Sequence, residues 1–582
     1  MIEKSKAAIQ TDDIQSATPD IDRTTSAAPS LVPSIVLVMV YALCVLLMVA
    51  PLSRILDPVI RLQLPFGAAL AQVGAWLPMN LGLGNNAQAA QTNTSIVEAI
   101  ALIFLSFIVY GLYALYITRL PSESRRYRDI RILLFAGATL AGLIFVFTPA
   151  MLSHDIIVYA SYSRIVANYH ANPYFVPLTA FPHDPFVPLN YWASSVAAYG
   201  PIWVLVCGLI GFIAGPQVAG YVLAFRIFAL AAHLLNTWLV MRTLHSMGRT
   251  QRTITLGTLL YALNPLVLLE SSLGGHNDVF MMTFVLIGVY LAVRAQKRDT
   301  LSSPAGYLPP LIAFTLAALV KFTMLPVIAL FIVFIVWKAL RSPATTNTTT
   351  STQGKVQLNW ERAYSAVLIS GAAAIILALI FYGPFWIGHS VADIRTSFTS
   401  PPSSRFGENS IMLAIYHWAY ANNLFSHSLR GKMLSFLGSR WLWDGINYVL
   451  VGTICILSAL WLWRSTALHT FLLASLAVLG VLLIVTPWFF SWYVTWLVGL
   501  VAVALPVRES RIGRALVVAA LAFSASAFFT YLFLYGYAPF GTWTGLVCLT
   551  TIAPPLLAFL ITYLWWQPAK NLRHSASRNV QI

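Results

Sequence analysis

Apolar runs long enough to cross a hydrocarbon core of ~30 Å recur from one end of the chain to the other, and this leaves few choices of fold. In lipid, every backbone amide and carbonyl must be paired within the protein, which confines spanning segments to helices or closed barrels. The runs fall at about 33–50, 96–117, 132–150, 218–241, 254–270, 277–293, 308–321, 324–340, 364–386, 446–463, 467–486, 493–506, 514–536 and 543–565. Read as helices, they predict an all-α polytopic membrane protein with about fourteen spans.

Composition supports this. Of 582 residues, 58% are hydrophobic and 9% charged, and the mean hydropathy is +0.75, more apolar surface than a soluble protein could bury. The formal charge of +16 would suggest nucleic acid in a soluble chain. Here the basic residues fall in short clusters between apolar runs and read as positive-inside topology signals. Arg119 to Arg131 (RLPSESRRYRDIR), Arg294/Lys297/Arg298 and Lys338/Arg341/Lys355/Arg362 then share the cytoplasmic side, with both termini. Ile202 to Ala214 is apolar but short, and spanning with it would carry Arg242–Arg252 outside, so it is expected to be partial or interfacial. Residues 1–30 read as a disordered cytoplasmic tail, 31–565 as one membrane module with a low-complexity linker at about 341–362 (ATTNTTTSTQG), and 566–582 as a basic tail. Cys44, Cys207, Cys455 and Cys548 lie in apolar stretches without CxxC spacing and read as small apolar filler.

Two long segments interrupt the apolar pattern on the outer side, at about 151–201 and 388–444. The first, Ser153 to Pro201, is rich in Pro, Asn and aromatics and cannot lie in hydrocarbon, which predicts an ordered cap at the membrane surface with short amphipathic helices. Its HD pair, His154-Asp155, stands where a helix leaves the membrane. A carboxylate at such depth is expensive, and desolvation would raise its pKa toward the range of a general base. Asp184 is either a second functional acid or the partner of Arg164. In NPLVLLESSLGGHND, Asn264, Glu270, His276, Asn277 and Asp278 surround a tight Gly274-Gly275 turn; this either presents N–H groups and imidazole to an anion or caps the next helix. Lys321, Arg226 and Arg405 could neutralise a phosphate, although Arg226 could equally snorkel or pair with a carboxylate. TPWFFSWYVTW places aromatics at a helix start as a membrane belt, or, at Trp488 and Trp492, as sugar-stacking faces.

The order of HD at 154–155, NPY at 172–174, YGPIW at 199–203, NPLVLLE at 264–270, GGHND at 274–278, the lysine in ALVKFTMLP and PWFFSWYVTW at 487–496 resembles the GT-C superfamily of membrane glycosyltransferases. It is most similar to the bacterial polyprenyl-phosphate-mannose-dependent α-mannosyltransferases. The resemblance implies a GT-C-like bundle with Asp155 as the base that activates the acceptor hydroxyl. It also implies that His276, Asn277, Asp278 and Lys321 hold the donor phosphate. From the residues themselves, Arg405 is a further phosphate candidate, and His154, Tyr159, Asp184, Tyr199, Asp278, Trp488 and Trp492 are candidate substrate contacts. The chain has HD instead of the DE pair of protein mannosyltransferases and lacks a large soluble C-terminal domain, so a glycolipid or polysaccharide acceptor is expected. The expected reaction is inverting transfer of a hexose, mannose by resemblance, from polyprenyl phosphate at the extracytoplasmic face of the plasma membrane. A departing lipid phosphate needs only cationic or N–H stabilisation, so no metal or cofactor is expected. A transporter or flippase of lipid-linked sugars is the competing reading; it predicts polar residues strung through the membrane instead of gathered outside.

Overall fold

In the computed structural model, the described residues are 30–55, 62–84, 86–121, 124–341, 358–400, 410–422, 427–507, 510–534 and 548–565. They form an all-helical bundle, and no β-strand occurs among them. Residues 1–29 of the expected N-terminal tail, the C-terminal tail 566–582, residues 342–357 of the expected linker at about 341–362, and Arg405 lie outside these residues; the linker's end at 360–362 is already helix.

Among the described residues ten helices are long and apolar enough to cross a membrane, and an eleventh crossing is made if Gln251–Ala262 and Pro265–Ser272 act as one span. The chain is an integral membrane protein. The expected total near fourteen is reached only if Pro304–Val320, Ser491–Ala504 and Leu549–Trp565 also cross; each is shorter than eighteen residues. Pro201–Ile213 is likewise a short apolar helix; Leu209, Phe212 and Ile213 are exposed on one face of its far end, while Ile210 and Gly211 pack inward.

Local chemistry explains where the helices depart from the apolar runs. The second long helix, Ala87–Arg119, begins well before the expected residue 96 because the Asn86 side chain accepts from the Ala89 amide at 2.8 Å and caps it. The span expected at 254–270 bends by 47°, since Asn264 ends one helix and caps the next. Its Oδ1 accepts from the amides of Leu266 and Val267, with Pro265 in the first helical turn.

Arg226 fastens this scaffold together. Its guanidinium is fully buried and donates to the carbonyls of Val146 (3.1 Å), Thr148 (2.8 Å), Ala150 and Leu273 (2.8 Å). The first three belong to the end of the Tyr127–Val146 helix and the turn after it, where carbonyls lack intrahelical partners. The expected snorkelling or carboxylate pairing is not found: Arg226 is fully buried and its hydrogen-bond partners among the described residues are all backbone carbonyls. It thereby joins the entry to the 151–201 segment with the turn that carries GGHND.

The 151–201 segment is an ordered cap containing the Asp155–Ala167 helix and two short 3-10 turns, Leu178–Ala180 and Val187–Leu189. Gly200 packs so closely against the end of Pro304–Val320 that a Cβ there would lie 2.0 Å from the Leu319 carbonyl oxygen, and its amide donates to Val320 at 3.0 Å. This contact sets Tyr199 beside Lys321.

Candidate active site

Asp155, the 264–278 segment with Glu270, His276 and Asp278, Lys321 and the aromatic run 488–496 come from four separate stretches of chain and meet in space. Asp155 opens its helix, where a carboxylate is favoured by the exposed amides. Its Oδ2 accepts from the Tyr159 hydroxyl at 3.2 Å, one helical turn along, and from the Tyr199 hydroxyl at 3.4 Å. The same oxygen lies 3.4 Å from Nδ1 of His276. All three contacts fall on Oδ2, and among the described residues Oδ1 has no hydrogen-bond donor. The side chain keeps 23% of its surface exposed.

His276 is completely buried. Its Nε2 lies 3.4 Å from Oε2 of Glu270, and its ring stacks on Trp492 with centroids 4.0 Å apart. At 3.4 Å both nitrogens make ion-pair contacts that are longer than aligned hydrogen bonds. The Gly274-Gly275 turn makes this placement possible. A Cβ on Gly274 would sit 2.4 Å from the imidazole, and Gly275 has a φ of 62°. Glu270, also fully buried, is held by Ser491 (2.7 Å) and by the Tyr531 hydroxyl, 2.8 Å from Oε1.

Beside this array, Asp278 Oδ1 accepts from Lys321 Nζ at 2.8 Å and from the Trp496 indole at 2.7 Å. Lys321 Nζ also stands 4.1 Å from the Tyr493 ring centroid.

A cavity of about 350 Å³ opens over these groups, within the range of small-ligand sites, and Asp155, Tyr199, Lys321, Trp192, Trp488 and Trp492 are among its walls. His276, Asn277, Asp278, Asp184, His154 and Tyr159 do not line it. Asn277 is buried, and neither atom of its side-chain amide finds a partner among the described residues. His154 packs its ring edge-on to Tyr191, centroids 4.7 Å apart. Asp184 has the structural role that its sequence left open. Its carboxylate takes Arg164 Nε at 2.6 Å, the Tyr169 hydroxyl at 2.8 Å and the Phe186 amide at 2.8 Å.

The electrostatics reverse one expectation. Enclosure alone would push the Asp155 carboxyl up, but the contact and charge of His276, then Lys321 and Tyr159, outweigh it and hold the group below the usual carboxylate range. Burial would likewise lower His276, yet the flanking Asp155 and Glu270 carboxylates push it up to about 9. Burial, with Asp155 nearby, drives the Tyr159 and Tyr199 hydroxyls well above the usual phenol range, so both remain donors. At neutral pH the array therefore holds an imidazolium between two carboxylates. Among the described residues no three His, Cys, Asp or Glu side chains are placed to hold a metal ion.

Sequence reasoning did not find Tyr531, Ser491 and Trp496 as partners of the acidic groups. The buried carboxylate of Glu270 was a signal in itself, but hydroxyls more than two hundred residues away give none.

Residues 65–341 match the family described as alpha-(1->6)-mannopyranosyltransferase, N-terminal domain. This stretch carries Asp155, Glu270, His276, Asp278 and Lys321. The chain is 28% identical over 203 residues to alpha-(1->6)-mannopyranosyltransferase A of Mycobacterium tuberculosis, covering 35% of this chain and 33% of that protein. It is 31% identical over 108 residues to alpha-(1->6)-mannopyranosyltransferase B of Corynebacterium glutamicum, 18% and 17% of the two chains. A probable alpha-(1->6)-mannopyranosyltransferase of Mycolicibacterium smegmatis is 28% identical over 151 residues, 25% of this chain and 26% of the relative. The matched regions thus span a third or less of the length of these relatives. No solved structure matches the chain. The resemblance read from the order of the motifs holds: this membrane chain is a relative of the bacterial alpha-(1->6)-mannopyranosyltransferases.

Proposed function

We propose that the protein transfers a mannosyl residue from a polyprenyl-phosphate donor to a hydroxyl of a glycolipid or polysaccharide, at the extracytoplasmic face of the plasma membrane and with inversion. The observation that carries this reading is the one-sided carboxylate of Asp155. Its Oδ2 is occupied by the two tyrosines and the histidine, while its partly exposed side chain forms part of an aromatic-walled cavity that also contains Lys321.

In a single displacement the acceptor hydroxyl gives its proton to Asp155 Oδ1 as its oxygen attacks the anomeric carbon, and the bond from that carbon to the phosphate oxygen breaks. A carboxylate held ionised at neutral pH suits a step in which the hydroxyl becomes acidic only as the new bond forms. Lys321 is the cation on the cavity wall placed to meet the departing phosphate. Arg405 remains an expectation for that role, outside the described residues. Trp488 offers an aromatic face to the sugar, whereas both faces of Trp492 are covered by His276 and Phe490, and the lipid chain of the donor would lie in the surrounding bilayer.

The decisive experiment supplies the purified protein in lipid with radiolabelled polyprenyl-phosphate mannose and a membrane glycolipid extract, beside Asp155→Asn. Label reaching an extractable product with the wild type, and falling by roughly 10²- to 10⁴-fold in the variant, is the expected result. Near-normal turnover by Asp155→Asn would remove the base assignment. No transfer to any acceptor, with lipid-linked mannose moved across the bilayer instead, would favour the flippase reading.

A further inference from the structure

Glu270 lies too deep to touch a substrate, yet its carboxylate is firmly anchored and nothing in the transfer step so far uses it. It is fully buried, with Ser491 and Tyr531 donating to Oε1 and Tyr531 also 2.9 Å from Oε2. What remains of Oε2 faces Nε2 of His276, whose other nitrogen faces Asp155. The imidazole cannot swing away, because Trp492 covers it and Gly274 supports its edge.

We infer that Glu270 is a positioning residue for the transferase: acting through the clamped His276, it fixes Oδ2 of Asp155 so that Oδ1 alone is presented to the acceptor hydroxyl. This rests on the reading of Asp155 as the base. It also moves His276 from the donor-phosphate role to one inside the wall, consistent with its absence from the cavity surface.

Geometry supplies the reason for such a device. A carboxylate with both oxygens solvated could rotate and offer either one, and a misplacement of ~1 Å at the reacting atoms can cost about a hundredfold in rate. Two hydroxyl donors and the ion-pair contact of His276 on one oxygen remove that freedom. Around it the carboxylates of Asp155, Glu270 and Asp278 face the two basic side chains of His276 and Lys321, and the hydroxyls of Tyr159, Tyr199 and Tyr531 donate to Asp155 and Glu270. Arg226 is committed to backbone carbonyls on the other side of the Gly275 turn. The proton's route is unchanged; it ends on Asp155 and His276 keeps both of its own.

The test compares Glu270→Gln, His276→Gln and the double variant with wild type, with Asp155→Asn as a separate arm. Each is assayed for label transfer from polyprenyl-phosphate mannose between pH 5 and 10 and for melting temperature in detergent. The amide in Glu270→Gln keeps one oxygen to accept from Ser491 and Tyr531, loses the second Tyr531 contact, and removes the charge that supports the imidazolium. Expected are a fall in kcat of roughly 10- to 100-fold with KM for the donor unchanged, a basic limb of the pH profile moved to lower pH, and a double variant no worse than the poorer single one. If Glu270→Gln fails to fold, His276→Gln alone carries the test, and it should lose kcat and the basic limb together.

Wild-type kcat and pH profile in a folded Glu270→Gln or His276→Gln would overturn the inference, as would a change confined to KM. An active Asp155→Asn would instead overturn the reading on which it rests. An inactive Asp155→Asn beside unaffected Glu270 and His276 variants leaves the base in place and removes only the positioning role.

Discussion

Trp492 lies almost flat on His276, with ring centroids 4.0 Å apart and planes 15° from parallel, and Phe490 stacks on the same indole at 4.4 Å. Trp492 is 3% exposed, whereas Trp488, at the rim of the same cavity, is half-buried. The two tryptophans expected to stack on sugar are therefore not equivalent. Trp488→Ala should raise KM for the donor or acceptor by up to about tenfold, the effect of a contact worth ~1.4 kcal/mol, and leave the melting temperature in place. Trp492→Ala removes a buried ring and should cost ~3–5 kcal/mol of stability, with kcat falling as the imidazole loses its cover. Equal effects of the two substitutions on KM, with no loss of stability from either, would refute this division.

Lys321 and Asp278 form a buried pair at 2.8 Å, so a substitution at Lys321 has two consequences that a single variant confounds. Lys321→Met leaves the Asp278 carboxylate buried without its cation, a loss of ~3–5 kcal/mol when one partner of such a pair is removed. Combining Lys321→Met with Asp278→Asn should recover most of that stability but not donor binding, and KM for polyprenyl-phosphate mannose should stay raised in both. A double variant with wild-type KM would show that Lys321 serves the fold alone.

The pH dependence of stability follows from the same array. His276 is raised from its ordinary 6.5 to about 9, so the stability it contributes is complete below about 6.5 and is lost as pH rises through about 9. Asp155 is shifted the other way, below 3.8, so its contribution is present above that value and is lost as pH falls through the lower folded-state value. Melting temperature in detergent should therefore hold a plateau from mildly acidic to neutral pH and decline toward pH 9. In His276→Gln the alkaline decline should vanish; its persistence would locate the titrating group elsewhere.

Much of the site was legible because its pieces are short motifs at helix ends. HD, GGHND and the isolated lysine each stand out from apolar surroundings, and lining up span ends on one side brings them together. Partners were not legible: Glu270 meets Tyr531 across 261 residues, and no local pattern encodes that contact. Asp184 shows the opposite difficulty, since its pairing with Arg164 lies only twenty residues away. In a loop without periodicity, spacing alone does not decide whether two charges face each other. The pKa of Asp155 was misjudged for a related reason, because burial was visible in the sequence and the imidazolium behind the carboxylate was not. The Asn264-Pro265 break carried a readable signal, a capping residue followed by proline, inside what was otherwise one apolar run.

Arg226 has a role that neither of the two readings left equal by its sequence contained. Its guanidinium donates to four backbone carbonyls in the protein interior, and a buried carbonyl stripped of its donor costs ~1–3 kcal/mol. Arg226→Met should therefore destabilise the protein by several kcal/mol on that scale, visible as a large fall in melting temperature and in yield from the membrane. Arg226→Lys, which lacks the planar fork, should recover only part of the loss. Three of the four carbonyls lie just before Asp155 and the fourth just before the Gly274-Gly275 turn, so folded molecules of either variant should also lose kcat through a displaced base. A phosphate-binding arginine would behave differently: KM for the donor would rise while the melting temperature held. That pattern would contradict the role assigned to Arg226.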